Sequence, residues 1–151
     1  MLDMALQRDE PAAIRYNRGS LMEAVGAEPL IFGRWETILP VSEVTVVATG
    51  CMVELALPIA RETGAGLLNA RFLHELDAIA LETLRAGARR VLVLEDGIAS
   101  FGIRMKAALS PLPVRVFGVE NQPVMQGTIS QQRERFGMTA DALRRAILED
   151  A

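Results

Sequence analysis

The residues best suited to chemistry in this chain are few. Arg15-Tyr16-Asn17-Arg18-Gly19 places two arginines around a tyrosine, beside a glycine turn. A guanidinium is a planar fork of donors that can meet two oxygens of one phosphate, so the segment suits a phosphorylated ligand. Two solvated surface arginines would carry the same letters. Gly50-Cys51-Met52-Val53-Glu54 follows a β-branched run. A turn that cradles a dinucleotide pyrophosphate carries three glycines, and this turn has one, which favours a plain strand-to-helix connection. Cys51 stands where a helix N-terminus can lower a thiol pKa. A thiol nucleophile also needs a base, and the only histidine, His74, lies beyond the next strand. Cys51 therefore reads as a small core residue and His74 as a surface or turn residue. Glu95 and Asp96 end an apolar run at the position where open α/β sheets collect ligands. Neighbours on a strand point to opposite faces, so these two acids do not share a proton. Helix capping and subunit contact at Gly97 to Ser100 are the competing reading. Arg133, Arg135, Arg144 and Arg145 alternate with Glu134, Asp141, Glu149 and Asp150 and read as solvated helix faces with local ion pairs.

The elements that must position these residues follow from the pattern around them. Leu2, Ala5 and Leu6 have helical spacing, and Asp9-Glu10-Pro11 stops it. Ala12 to Tyr16 is expected as a short strand. Ser20 to Pro40 has no sustained period and reads as a linker, with a strand around Trp35 to Leu39. From Val41 the texture becomes regular. Strands are expected at Val44 to Thr49, Leu67 to Phe72, Val91 to Leu94 and Val114 to Phe117. Helices are expected around Leu55 to Ala60, at Asp77 to Arg85 and at Ser100 to Leu109, with Pro58 kinking the first or marking its true start. Two short helices close the chain. Thr128-Ile129-Ser130-Gln131 fits a capping box, and Thr139 caps a last helix whose inner face is Leu143, Ala146 and Ile147. The run Val91-Leu92-Val93-Leu94 is apolar without alternation, as a strand buried on both faces must be. Alternating strands and helices mean βαβ units. The expected fold is α/β, a three-layer αβα sandwich on a mainly parallel sheet of about five strands.

Composition removes several function classes. The chain has 151 residues, half of them hydrophobic and 23% charged, which is enough to bury a core. A net charge of −3 argues against a nucleic-acid or anionic-membrane binder. No apolar run approaches the ~18 residues of a membrane span, and the first residues lack the features of a signal peptide. One cysteine excludes an internal disulfide and fits a reducing, cytoplasmic setting. One cysteine and one histidine also exclude the common structural zinc sets. Seven aromatic residues make the core aliphatic, and fifteen of the sixteen basic residues are arginine, without clustering into one stripe.

Five segments, in order, resemble one family. "AIRYNRG" at Ala13 to Gly19 resembles the "RYPRG" signature near the end of the pyrimidine-binding domain of 1-deoxy-D-xylulose-5-phosphate synthases. "VTVVATGCMVELAL" resembles the strand and turn that open their transketolase-type C-terminal domain. "LLNARFLHELD" resembles "DARFVKPLD", and "VLVLED" resembles "VTVEEN". "GTISQQRERFGMTADALRRAI" aligns without a gap to "GSQEELRAELGLDAEGIARAI". Asn17 stands where the family has proline, His74-Glu75 where it has Lys-Pro, and the glycine-rich stretch after the acidic pair is shorter.

The resemblance implies the C-terminal domain of a thiamine diphosphate-dependent transferase that joins pyruvate to glyceraldehyde 3-phosphate, in isoprenoid precursor and thiamine synthesis. It implies residues 1–20 as the end of a pyrimidine-binding domain, 21–40 as a linker and 41–151 as the transketolase-type domain. It places Arg18 on the arginine that contacts the acceptor's phosphate, and puts no catalytic, cofactor or metal residue in this chain. Thiamine diphosphate and Mg²⁺ belong to the other domains of the complete enzyme. This piece is then inactive alone, with a structural and dimer-forming role and with the rest of the enzyme as its partner. The alternative is a free-standing α/β binding or regulatory module with the same fold.

Overall fold

The computed structural model describes residues 1–16, 29–119 and 122–149. Eleven elements follow in order: α1 (Leu2–Leu6), β1 (Glu36–Leu39), β2 (Val44–Ala48), α2 (Met52–Thr63), β3 (Gly66–Asn69), α3 (Ala78–Gly87), β4 (Arg90–Ile98), α4 (Ser100–Leu109), β5 (Val114–Val119), α5 (Ile129–Arg135) and α6 (Ala140–Leu148). The five strands form one sheet in the order β1-β3-β2-β4-β5. β2 pairs parallel with β3 and with β4, and β4 pairs parallel with β5. Only the edge strand β1 runs antiparallel, with Glu36 opposite Asn69 and Leu39 opposite Leu67. The three-layer, mainly parallel sheet expected from the sequence is the observed architecture.

The alternation of β4 divides the core. Leu92 and Leu94 face one layer with Val46, Ala48, the Met52, Ala56 and Ile59 side of α2, and the Leu143, Ala146 and Ile147 side of α6. Val91 and Val93 face the other with Val47, Leu84 of α3, and Phe101, Met105 and Leu109 of α4. The four β4 side chains are each at most 1% exposed. Burying a side chain of this kind contributes roughly 1.5–3 kcal/mol, which is why an unbroken apolar run is stable as a central strand covered on both faces.

Helix ends follow the chemistry of their flanking residues. The Asp77 side chain accepts from the N–H groups of Ile79 and Ala80 and starts α3. Thr128 and Gln131 form the reciprocal capping box of α5, and Thr139 caps α6 through Ala142 N–H. Gly102 lets α4 lie close on β5: a Cβ there would stand 2.3 Å from Val116 Cγ1.

Three expectations are corrected. Residues 12–16 form no strand; a strand needs a ladder partner, and none of the described strands pairs with this segment. Pro58 does not mark the start of α2 but lies inside it, at an exposed position. β4 is longer than its apolar run and carries the chain through Glu95, Asp96 and Gly97 to Ile98, with a register shift against β5 after Leu94. Residues 1–16 lean on the sheet's carboxyl end at two points. The Arg8 guanidinium sits 3.7 Å from the centre of the Phe32 ring, and Arg15 Nη2 donates to the Asp96 carbonyl at 2.6 Å. No helix among the described residues is long and apolar enough to cross a membrane.

Candidate functional site

The chain leaves β2 toward β3 on one side and returns to β4 on the other, so the order of strands reverses between the carboxyl ends of β2 and β4. In open α/β sheets that crevice is where ligands bind. Thr49 N–H donates to the Leu94 carbonyl at 3.0 Å and holds the two strand ends together. Gly50 then turns the chain with φ +51, a left-handed conformation that glycine adopts without strain. Cys51 follows as the residue preceding α2.

The two acids of β4 part company, as neighbours on a strand must. Glu95 is buried and bends back to the start of α4. Its Oε1 accepts from Phe101 N–H at 3.1 Å and from the Ser100 hydroxyl at 3.3 Å, and its Oε2 accepts from Gly102 N–H at 3.0 Å. The helix N-terminus that could receive an anionic ligand is thus filled by a carboxylate of the chain itself. The capping alternative is the one observed for Glu95.

Asp96 faces the crevice. Its Oδ2 accepts the Cys51 thiol hydrogen at 3.0 Å, and Arg133 Nη2 donates to the same sulfur at 3.1 Å. Arg15 completes the group through the Asp96 carbonyl, with its guanidinium against Gly97. Four segments far apart in sequence meet here: the N-terminal arm, the start of α2, the end of β4, and α5. Burial pushes the Cys51 thiol up to about 11, the Asp96 carboxylate adds to the rise, and Arg133 opposes it. Cys51 is therefore a neutral thiol at pH 7. The helix N-terminus that could have activated it is outweighed by burial and a carboxylate. With its hydrogen held by Asp96 and its pKa raised, the sulfur serves as a bridge rather than a nucleophile.

Arg18 lies outside the described residues. His74 is exposed, and its carbonyl accepts from Arg104 Nη2. Of the four late arginines, Arg133 turns inward to Cys51. Arg144 reaches across from α6 to α2, with Nε 3.0 Å from Glu62 Oε1 and Nη2 2.9 Å from Glu62 Oε2. These are long-range ties and not only local pairs. Sequence reasoning missed both, because Arg133 and Cys51 are 82 residues apart, as are Arg144 and Glu62, and no spacing rule spans that distance.

The donor set does not fit a metal-held diphosphate. No group of three or more His, Cys, Asp or Glu able to hold a metal ion occurs among the described residues. Glu95 is consumed by the start of α4, and Asp96 by the thiol.

A family model described as the C-terminal domain of transketolase matches residues 33–143. The 1-deoxy-D-xylulose-5-phosphate synthase of Prochlorococcus marinus (strain MIT 9303) is 34% identical over 165 residues, covering 99% of this chain and 26% of its own length. That of Oleidesulfovibrio alaskensis is 35% identical over 162 residues, covering 96% of this chain and 25% of its own length. The chain thus spans about a quarter of the length of these curated relatives. Among solved structures, a split-gene transketolase described as an inactive β4 tetramer superposes with a TM-score of 0.72 at 25% identity, covering 83% of this chain and 45% of that one. The transketolase of Campylobacter jejuni superposes with a TM-score of 0.61 at 20% identity, covering 86% of this chain and 20% of that one, and shares the fold.

Proposed function

The chain belongs to the transketolase C-terminal domain family, and from that premise we propose that it serves as the C-terminal domain of a thiamine diphosphate-dependent transferase of the 1-deoxy-D-xylulose-5-phosphate synthase type, acting in the cytoplasm. The observation that carries the reading is collinearity. The match to the synthases runs over 99% of the chain and includes the arm before the family-model boundary at residue 33. In this reading residues 1–20 belong to the end of a pyrimidine-binding domain, 21–40 to a linker, and 41–151 to the C-terminal domain. The last residues of the linker, β1, are paired into the sheet.

The domain's own residues build and orient. The Arg15, Asp96, Cys51 and Arg133 group fastens the arm to the sheet at the crevice. Arg18, three residues beyond the Arg15 anchor, is the residue proposed to take the phosphate of the acceptor. When bound to the complete enzyme, thiamine diphosphate with Mg²⁺ supplies the carbanion chemistry that joins pyruvate to the acceptor aldehyde. The residues described here do not fit that cofactor, so its holding falls to the other domains. The split-gene transketolase that this chain resembles, of which it covers 45%, is described as an inactive β4 tetramer, and the chain alone is proposed to be inactive likewise. The complete enzyme is proposed to work as a homodimer.

Fusion tests the reading. The chain is joined in frame to the diphosphate- and pyrimidine-binding domains of the Prochlorococcus synthase in place of that enzyme's own last quarter. Pyruvate- and glyceraldehyde 3-phosphate-dependent release of carbon dioxide is then measured. The fusion is expected to turn over, and the chain alone to be inactive and to give no saturable heat with thiamine diphosphate and Mg²⁺. A folded but inactive fusion, or micromolar cofactor binding by the chain alone, would overturn the proposal.

A further inference from the structure

Two buried acids lie away from the crevice, at the β1 edge of the sheet. Asp77 is 4% exposed and Glu36 is 3% exposed. Asp77 is fully engaged. Its Oδ1 accepts from the N–H groups of Ile79 and Ala80, its Oδ2 accepts from Trp35 N–H at 2.8 Å, and Arg34 Nε stands 3.1 Å from the same Oδ2. Glu36 Oε2 accepts from Asn69 Nδ2 at 3.0 Å and from Arg71 Nε at 3.2 Å, and Arg71 Nη2 pairs with Oε1. Each carboxylate therefore holds one guanidinium from behind, by its Nε edge.

That leaves the front edges. Neither Nη group of Arg34, nor Nη1 of Arg71, has an acceptor among the described residues. The two side chains remain 39% and 15% exposed. Both line one cavity of about 220 Å³, together with Trp35, Pro29 and Ile31. A guanidinium already fixed by a buried acid loses little freedom on binding a second acceptor, and its planar fork matches phosphate geometry. Two guanidiniums on one space, with both Nη groups of Arg34 and Nη1 of Arg71 unpartnered among the described residues, suit a tetrahedral dianion better than a single carboxylate. Pro29 and Ile31 add an apolar wall. The cavity is smaller than the roughly 300–1,000 Å³ of drug-sized sites, so the ligand is small. The chain as a whole carries −3, so an anion has no general electrostatic reason to settle on it.

We propose that this cavity is a binding site for a small phosphate monoester with a short apolar tail, its phosphate held between Arg34 and Arg71. The site lies at the β1 edge, away from the crevice, and it stands or falls without reference to the family's cofactor or activity.

Trp35 is the only tryptophan and lines the cavity, so its fluorescence serves as the readout. The chain is titrated with n-butyl phosphate, with inorganic phosphate, and with potassium chloride at matched ionic strength. A saturable change is expected with both phosphates, tighter for the butyl ester, and none with chloride. Arg34→Gln should weaken butyl phosphate about tenfold or more. Asp77 keeps its three N–H donors in that variant, so the thermal midpoint should move little. Arg34→Lys keeps the charge without the fork, and should fall between the two. Arg71→Gln is avoided because it would strand Glu36 in the core. The proposal is overturned by equal responses to phosphate and chloride, by no saturable change up to tens of millimolar, or by an affinity that Arg34→Gln and Arg34→Lys both leave unchanged.

Discussion

At the scale of single residues, Cys51 gives the sharpest expectation. An unfolded thiol ionises near its ordinary 9.0, and the folded one near 11. The folded state therefore holds its proton more tightly, and the stability this contributes is whole below pH 9 and is lost as pH rises toward 11. Thermal melts across that window should show an alkaline loss that Cys51→Ala reduces. At pH 8 the folded protein carries roughly a hundredth of the thiolate of an ordinary cysteine, so alkylation by iodoacetamide should be slower by about the same factor. Asp96→Asn removes one cause of the shift and should speed it; an unchanged rate would mean burial alone sets the pKa. Arg18 is tested in the complete enzyme. On the proposed reading, Arg18→Ala lowers kcat/KM for the phosphorylated acceptor by roughly 10- to 100-fold and spares pyruvate. Arg15→Ala should act differently. It frees the arm from the Asp96 carbonyl and should show as a lower melting temperature, not as a selective loss for the acceptor. The sequence made Glu95 and Asp96 visible as a pair with opposite directions. It did not show what each would touch, because the partners are contributed by α4, α2 and α5, and tertiary contacts leave no local period to read.

At the scale of elements, much more was legible. Ser100 to Leu109 was readable as α4 and Val44 to Thr49 as β2, because apolar spacing and Gly or Pro punctuation are local signals. The failures have one cause. Ala12 to Tyr16 has strand-like letters but no ladder to join, and the tail of β4 has unstrand-like letters (Glu95, Asp96, Gly97) but is carried on by its neighbour. Capping strengths should separate by burial. Asp77→Ala removes the start of α3, the Trp35 N–H acceptor and the Arg34 partner together, and should cost about 2–4 kcal/mol. Thr128→Ala on the exposed α5 should cost about 0.5–1 kcal/mol. Gly102→Ala should cost about 1–3 kcal/mol by driving α4 off Val116, and adding Val116→Ala should recover part of it. Urea melts of the single and double variants check the series; no recovery would mean the strain lies elsewhere than at Val116.

At the scale of the whole molecule, protection should grade from the centre of the sheet outward. β2 and β4 are each flanked by hydrogen-bonded neighbours and buried on both faces, whereas Leu2, Leu6 and Tyr16 in the arm are 64%, 75% and 84% exposed. Hydrogen exchange should therefore be slowest at Val46 to Ala48 and Val91 to Leu94 and fast through residues 1–16. Equal protection in the arm would mean that it docks on a further surface, such as a second copy of the chain. The same sheet has a consequence for inheritance. Leu92 and Leu94 share neighbours with α2 and α6, while Val91 and Val93 share theirs with α3 and α4, and side chains on opposite faces share no packing partners through which a change in volume would couple. Descendants of this sequence are free to rework one storey while the other stands still. Compensating pairs of substitutions should accordingly collect within a storey, Leu94 with Leu143 or Val93 with Met105, and seldom across the floor that separates them.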